Sequence, residues 1–415
     1  MLLRARIVLP VSKPPIDDGA VLIDGDRIRS VGSWRELSSL GPHPTLDLGD
    51  VILLPGLINV HCHLDYTDVA GRIPPTRFFT DWVKTLMTIK ASWNFSEYAQ
   101  SWINGAKMLV RNGTCAVADV EAIPDLLPEI WSATPLRVCS FLEMTGVKTR
   151  RAPTSVLKEA LEIIDACSNP PGPMGLSPHA LYSTTRQLLQ KTATQSRRKK
   201  LRVTSHLAES EQEYDMYMFR RGGLYEWLNR QRDMSDCGHG SPVQQFNRCG
   251  LLSERFLAVH VNYLAAGDAA LLGQKECTVI HCPRSHAYFR HRPFPYRELA
   301  KAGVNLCLGT DSLASVSKVR AHPVELSLFP EMQLFSASHP ELLPATVLQM
   351  VTVNAARALG FAGTLGEFVE GAFADLIAVP FNGKSLDAFG AVVHHTGAVT
   401  ASMIGGKWAF PQVAS

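Results

Sequence analysis

The first residues whose types and spacing could do chemistry are His61-Cys62-His63, which close the apolar run VILLPGLINV. In a β-strand residues i and i+2 share a face, so two imidazoles would stand side by side at a strand end. Imidazole is a good ligand for Zn, Fe and Cu. Taken alone, the same triplet also reads as two histidines on a solvated loop. The rest of the chain decides between them, because His206, His260 and Asp311 also end apolar runs (LRVTSH, RFLAVH, VNLCLGTD). His61, His63, His206 and Asp311 together would hold one divalent transition metal, Zn ahead of Fe. One coordination position is left for water, the pattern of a catalytic rather than a structural site. Such an ion lowers the pKa of its water to roughly 7, and Asp311 can take the proton.

Glu209 follows His206 by three residues in HLAES. If a helix begins there, Glu209 can lean back over the metal as a general acid–base. Hydrolysis at a carbon–nitrogen bond needs such a group, to protonate a ring nitrogen and then the leaving group. Glu211 and Glu213 read as acids favoured by the helix dipole. His260 is expected to orient the hydroxide and stabilise charge in the tetrahedral intermediate, with direct ligation as its alternative. The catalytic set is therefore Glu209, His260 and Asp311. Substrate contacts are expected from His179, Trp82 and Glu143. His281 and His286, in HCPRSH, are divided between core and loop roles. His43, His239, His291, His322, His339, His394 and His395 read as surface residues.

Some motifs are missing. The chain has no HExxH helix and no PCxxC, and Gly383-Lys384-Ser385 lacks the first glycine of a phosphate-binding loop. No lysine ends the fourth strand, where Ser177-Pro178-His179 stand, which argues for one metal rather than a lysine-bridged pair.

The elements that must position these residues are eight short apolar runs alternating with helical segments. They end at or near His61, Asp119, Glu143, His179, His206, His260, His281 and Asp311. Near-continuous apolar strands suit a sheet covered on both faces, and eight β/α units suggest a closed barrel with its site at the C-terminal strand ends. An open doubly wound sheet is the alternative, but the Gly-rich loop it would carry is absent. Two long connections, 64–101 and 209–253, are either walls of the site or plain helical insertions. Residues 1–54 and 363–415 are strand-like, with turn signals at Gly25-Asp26 and Gly405-Gly406. Each end is too small to bury its own core. The expected architecture is α/β: a (β/α)8 TIM-like barrel over 55–362 with a composite β-sandwich built from both termini.

The chain has 415 residues and a net charge of +3, too small to suggest nucleic-acid or acidic-membrane partners. Arg197-Arg198-Lys199-Lys200 reads as the solvated end of a helix or loop. Nine cysteines, with no CxxC pair, argue against a disulfide framework and for a reducing compartment. No apolar run approaches the ~20 residues that span a bilayer, so the cytoplasm is the expected location. A homodimer is left open.

Several segments resemble landmarks of the amidohydrolase superfamily, in its order: PGLINVHCHLD, SPHALYS, SHLAES, AVHVNYL, HCPRSH, LGTDSLAS and GTLGEFVEGAFADLIAV. The resemblance covers nearly the whole chain. It implies a distorted (β/α)8 barrel, a composite β-sandwich, one Zn or Fe ion and hydrolytic chemistry, with His61, His63, His206 and Asp311 as ligands and Glu209 and His260 as catalytic residues. The chain looks most like the deaminase and chlorohydrolase branch, which includes deaminases of S-adenosylhomocysteine and methylthioadenosine. HCHLDYTDVAGRIP, FTDWV and HCPRSH are similar to aminodeoxyfutalosine deaminases. Asp65 and His286 depart from that pattern, where Glu and Asn are usual, and are expected to line the substrate pocket. The implied function is hydrolytic deamination of an aminated purine nucleoside or related small heterocycle. A chlorohydrolase, a cyclic-amide hydrolase and a catalytically silent binding protein are the alternatives.

Overall fold

The structure is a computed structural model that describes residues 1–147, 151–317 and 324–411. Two sheets organise it. The first takes strands from both ends of the chain. These are β1 (Leu2–Val8), β2 (Ile16–Asp24), β3 (Arg27–Ser33), β4 (Thr45–Asp47) and β5 (Val51–Pro55). After the second sheet, β14 (Leu376–Pro380), β15 (Ala401–Ile404) and β16 (Lys407–Phe410) complete it. Its path runs β16-β15-β14-β5-β1-β2-β3, with β4 beside β1. The antiparallel pairing of β5 with β14, Val51 opposite Pro380 through Pro55 opposite Leu376, joins the two chain ends. The β15–β16 hairpin turns at Gly405 and Gly406, φ 57° and 74°, the double left-handed turn that glycine supplies without steric cost.

The second sheet holds eight parallel strands in sequence order: β6 (Leu57–Cys62), β7 (Thr114–Glu121), β8 (Arg137–Met144), β9 (Gly175–Pro178), β10 (Val203–Leu207), β11 (Phe256–His260), β12 (Thr278–His281) and β13 (Asn305–Leu308). One apolar cluster takes Ile58, Ala118, Phe141, Val259, Ile280 and Cys307 from six of these strands, as only residues facing a common interior can. Ala355 and Leu359 of the helix Val353–Leu359 join it. The barrel closes where β13 returns to β6. Thr310 and Asp311 both donate their N–H to the His61 carbonyl, at 3.1 and 3.2 Å. The Asn59 amide bridges the seam, donating to Thr310 Oγ1 at 2.8 Å and accepting from the Thr310 N–H at 3.1 Å.

The run VILLPGLINV is two strands rather than one. Gly56 separates β5, in the composite sheet, from β6, in the barrel. A Cβ at Gly56 would lie 2.1 Å from the Cys115 sulfur, so the crossing needs glycine. In β5, Val51 and Leu53 face the core of the composite sheet, while Ile52 and Leu54 face the core shared with the barrel. Buried Asp375 also joins the two units: it accepts both arms of Arg137 from β8, at 2.7 and 3.1 Å, and the Gly405 N–H at 2.8 Å. A charge pair out of water needs this saturation of its oxygens to be tolerated.

The basic run 197–200 closes the helix Arg186–Lys199 and its left-handed cap Lys200, as expected. All nine cysteines are free thiols. Among the described residues no helix is long and apolar enough to cross a membrane.

Candidate metal centre and active site

The donor atoms of His61, His63, His206 and Asp311 lie within 4.8 Å of one another at the C-terminal mouth of the barrel. His61 comes from β6, His63 follows that strand by one residue, His206 lies in β10, and Asp311 follows β13. The pairing of β6 with β7 shifts register between Asn59 and Cys62, and such a bulge re-aims side chains beside a site. The rings of His61 and His63 meet edge-on at 4.9 Å, and Nε2 of His63 is 3.3 Å from Nε2 of His206. Asp311 Oδ1 lies 3.6 Å from His61 Nε2 and 3.8 Å from His63 Nε2. Its Oδ2 accepts from Ser285 Oγ at 2.7 Å and Ser315 Oγ at 3.0 Å. One oxygen is therefore tethered and the other offered to the cluster.

The set fits a metal on two observations. Nδ1 and Nε2 of His61 and Nδ1 of His63 are buried without a protein partner, and buried polar atoms are rarely left so. His206 Nδ1 stands 2.9 Å from the His179 carbonyl. That oxygen can only accept, so the ring's proton is on Nδ1 and Nε2 presents a lone pair to the cluster. Burial, then the neighbouring rings, hold His63 and His206 well below the usual imidazole range, in the neutral form that binds metal. Burial alone would raise the Asp311 carboxyl. The His61 ring 3.6 Å away, with the rings of His260 and His63, outweighs it and holds Asp311 well below the usual range.

Glu209 and His260 sit together beside this set, with Glu209 Oε1 3.6 Å from His260 Nε2. Burial, reinforced by the charges of Asp311 and Glu213, raises the Glu209 carboxyl well above the ordinary carboxylate value. Burial pushes His260 down to about 3. Ala208, His260, Val261 and Asp311 all have left-handed backbones, φ 51°, 74°, 51° and 53°. Strained conformations at non-glycine residues concentrate at functional sites. Glu213 has a role beyond that of the expected helix-start acid. It does sit in the first turn of the helix Glu211–Phe219, donating its N–H to the Ser210 cap at 3.1 Å. Its carboxylate, however, is fully buried and folds back onto the Glu209 N–H at 2.8 Å, and burial raises its pKa to about 7.

A cavity of about 410 Å³ opens above the metal set. Trp82, Glu143, His179, Glu209, His63, His206 and Asp311 line it, whereas His61 and His260 lie beneath. Trp82 fixes its indole by donating to the Ala314 carbonyl at 3.1 Å. His179 Nδ1 is 2.8 Å from Ser183 Oγ. Both long connections prove to be helical and to form walls. The helix Phe79–Ser92 supplies Trp82, Leu86 and Lys90, and the helix Gly223–Leu228 supplies Trp227 and Leu228. Asp65 and His286 do not line the cavity. Asp65 is buried outside the lining, and His286 bonds the Asn262 side chain at 3.0 Å. His281 takes the core role, stacked on Phe294 at 3.9 Å. His43, His291, His339 and His395 are half-buried rather than exposed, and His322 lies outside the described residues.

The sequence profile of the amidohydrolase family matches residues 52–409. The chain belongs to the amidohydrolase family. A 5-methylthioadenosine/S-adenosylhomocysteine deaminase of Syntrophobacter fumaroxidans is 28% identical over 386 residues, covering 88% of this amidohydrolase and 80% of the relative. Among solved structures, an adenosine deaminase from Xanthomonas campestris with bound zinc superposes with a TM-score of 0.84 at 23% identity, covering 98% of this chain and 92% of that one. Helicobacter pylori aminofutalosine deaminase in complex with methylthio-coformycin gives 0.86 at 19% identity, covering 98% and 99%.

The amidohydrolase cavity also holds residues that sequence reasoning passed over. Tyr66 stacks on His63 at 5.4 Å, and Lys90 donates to the Tyr66 hydroxyl and stands 3.8 Å from Glu143. The signal for Lys90 was present: Trp82, Leu86 and Lys90 recur every fourth residue, one face of a helix. Ser285 and Ser315, which hold Asp311, had no such signal.

Proposed function

We propose that this amidohydrolase deaminates an aminated purine nucleoside or a related heterocycle, releasing ammonia, with one divalent transition metal, zinc before iron. The observation that carries the reading is the meeting of His61, His63, His206 and Asp311 with buried Glu209 on the floor of a 410 Å³ cavity walled by Trp82 and Trp227. The deaminase relatives support it. When bound, the ion acidifies water and so supplies a nucleophile at neutral pH. Trp82 and His179 hold the ring plane. Glu209, kept protonated by burial, gives its proton to the ring nitrogen next to the carbon bearing the amine. His260 orients the attacking oxygen. Asp311 takes its proton, which then goes to the departing amine. A carbon–oxygen bond forms, the carbon–nitrogen bond breaks, ammonia leaves, and the adduct's hydroxyl proton passes to Glu209 as the carbonyl forms, restoring the acid. The nine free thiols support a reducing compartment, and the cytoplasm is the location we propose.

The test is an ammonia-release screen on metal-loaded protein over adenosine, S-adenosylhomocysteine, methylthioadenosine, aminodeoxyfutalosine, guanine and triazines. Ammonia stoichiometric with one of them is expected. Chloride from a halogenated triazine in its place would move the reading to a chlorohydrolase, and no turnover on any compound would sink it.

A further inference from the structure

The position of the Glu209 carboxyl depends on how its peptide is held, because Glu209 stands on a short turn between β10 and the helix Glu211–Phe219. Both sides of that peptide are fixed by side chains. The N–H of Glu209 donates to Glu213 Oε2 at 2.8 Å, and its carbonyl accepts from Asn262 Nδ2 at 2.9 Å. Asn262 is itself pinned. It is 5% exposed, and it donates its own N–H to the Ala208 carbonyl at 3.0 Å. Its Oδ1 stands 3.0 Å from His286 Nδ1. The amide oxygen can only accept, so this bond requires the His286 proton on Nδ1. The Glu209 carbonyl can only accept, which settles that the Nδ2 end of the Asn262 amide faces it.

Three barrel segments are tied by this chain of bonds. Glu209 follows β10, Asn262 follows β11 two residues after His260, and His286 lies in the helix Pro283–Phe289 after β12. Asn262 and His286 neither line the cavity nor belong to the metal set. A buried carbonyl needs some partner, but water or a backbone N–H would satisfy it. Here the partner is a side chain whose orientation a second side chain fixes, and the residue served is the acid of the proposed reaction.

We propose that Asn262, oriented by His286, is a positioning residue that sets the Glu209 carboxyl over the reacting ring; this rests on the deaminase reading of Glu209. A misplacement of about 1 Å at such a group can cost ~100-fold in rate.

The experiment compares N262A, H286A and H286N with the wild type for metal content, Tm, kcat, KM and the pH profile of kcat. It adds a crystal structure of N262A. In N262A, kcat is expected to fall about 10–100-fold, in the range of lost supporting partners, with KM within about twofold. Metal content should stay at the wild-type level, the Glu209 limb of the pH profile should move, and the carboxyl should be displaced in the crystal. H286A should lose less, and H286N should recover activity because an asparagine amide can donate to Asn262 Oδ1. An unmoved Glu209 carboxyl, or a wild-type kcat and pH profile in N262A, overturns the proposal. So does a loss of activity that follows lost metal or lowered Tm. Absence of ammonia release by the wild type would instead overturn the deaminase reading, and the crystal structure would still decide the placement of Glu209.

Discussion

Asp311 divides its work between two oxygens, one facing His61 and His63 and one held by Ser285 and Ser315. Among the described residues no hydrogen bond holds the Glu209 carboxyl, which stands 3.6 Å from His260 Nε2, as suits the proton transfer proposed for it. Glu209→Gln keeps the shape and removes the proton. It should retain metal by elemental analysis and lose turnover by about 10²–10⁴-fold, the range of general acid–base catalysis. Glu213 gives a pH prediction. Its folded pKa, about 7, lies above the ordinary glutamate value of 4.5. Below pH 4.5 both states are protonated and burial costs nothing. Between there and 7 only the unfolded chain ionises, so stability falls as pH rises, and above 7 the full penalty remains. It amounts to ~3 kcal/mol at most. Glu213→Gln, whose amide oxygen can still accept from Glu209, should therefore gain little Tm over the wild type at pH 5 and its full advantage at pH 8. Equal gains at both would contradict it. At this scale the sequence showed the polar residues that end strands, since an apolar run makes its last residue conspicuous. Ser285, Ser315 and Asn262 lie in the landmark segments HCPRSH, LGTDSLAS and AVHVNYL, but nothing local marks them or Glu213, and only their pairing in the folded chain gives them their roles.

At the scale of elements, the eight barrel strands were legible because each is apolar on both faces and bounded by polar residues. The break at Gly56 was not, because β5 and β6 are equally apolar and differ only in their partners, which lie at Ile7, Val8 and Leu376–Pro380 on one side and in β7 on the other. Nothing local encodes that switch. Gly56→Ala tests the crossing. Its methyl would meet the sulfur and Cβ of Cys115 at 2.1 and 2.6 Å. Overpacking of this kind costs about 1–3 kcal/mol, so urea denaturation should show a lower midpoint with the slope unchanged. An unshifted midpoint would mean that the junction is looser than its packing indicates. The two long connections resisted reading for another reason: a helix that walls a cavity and one that merely covers a barrel carry the same apolar stripe.

For the whole molecule, the metal set draws on residues 61 to 311, so an ion bound there bridges β6, β10 and the segment after β13. Ligands that bind only the folded state stabilise it by mass action. Chelation should lower the Tm by several degrees and zinc should restore it, whereas His206→Ala should give a protein whose Tm no longer responds to either. A chelator-insensitive Tm in the metal-loaded wild type would argue against this bridging role. The pairing of β5 with β14 has one more consequence. A ribosome releases the chain from the N-terminus at about 5–20 residues per second, so the strand that leads directly into His61 and His63 waits for Leu376–Pro380 to emerge. The first pair of proposed metal ligands is translated early, but the strand leading into it gains its second neighbour late. A nascent chain stalled before residue 376 would carry all four proposed ligands and still lack β14, one of the two strands paired with β5.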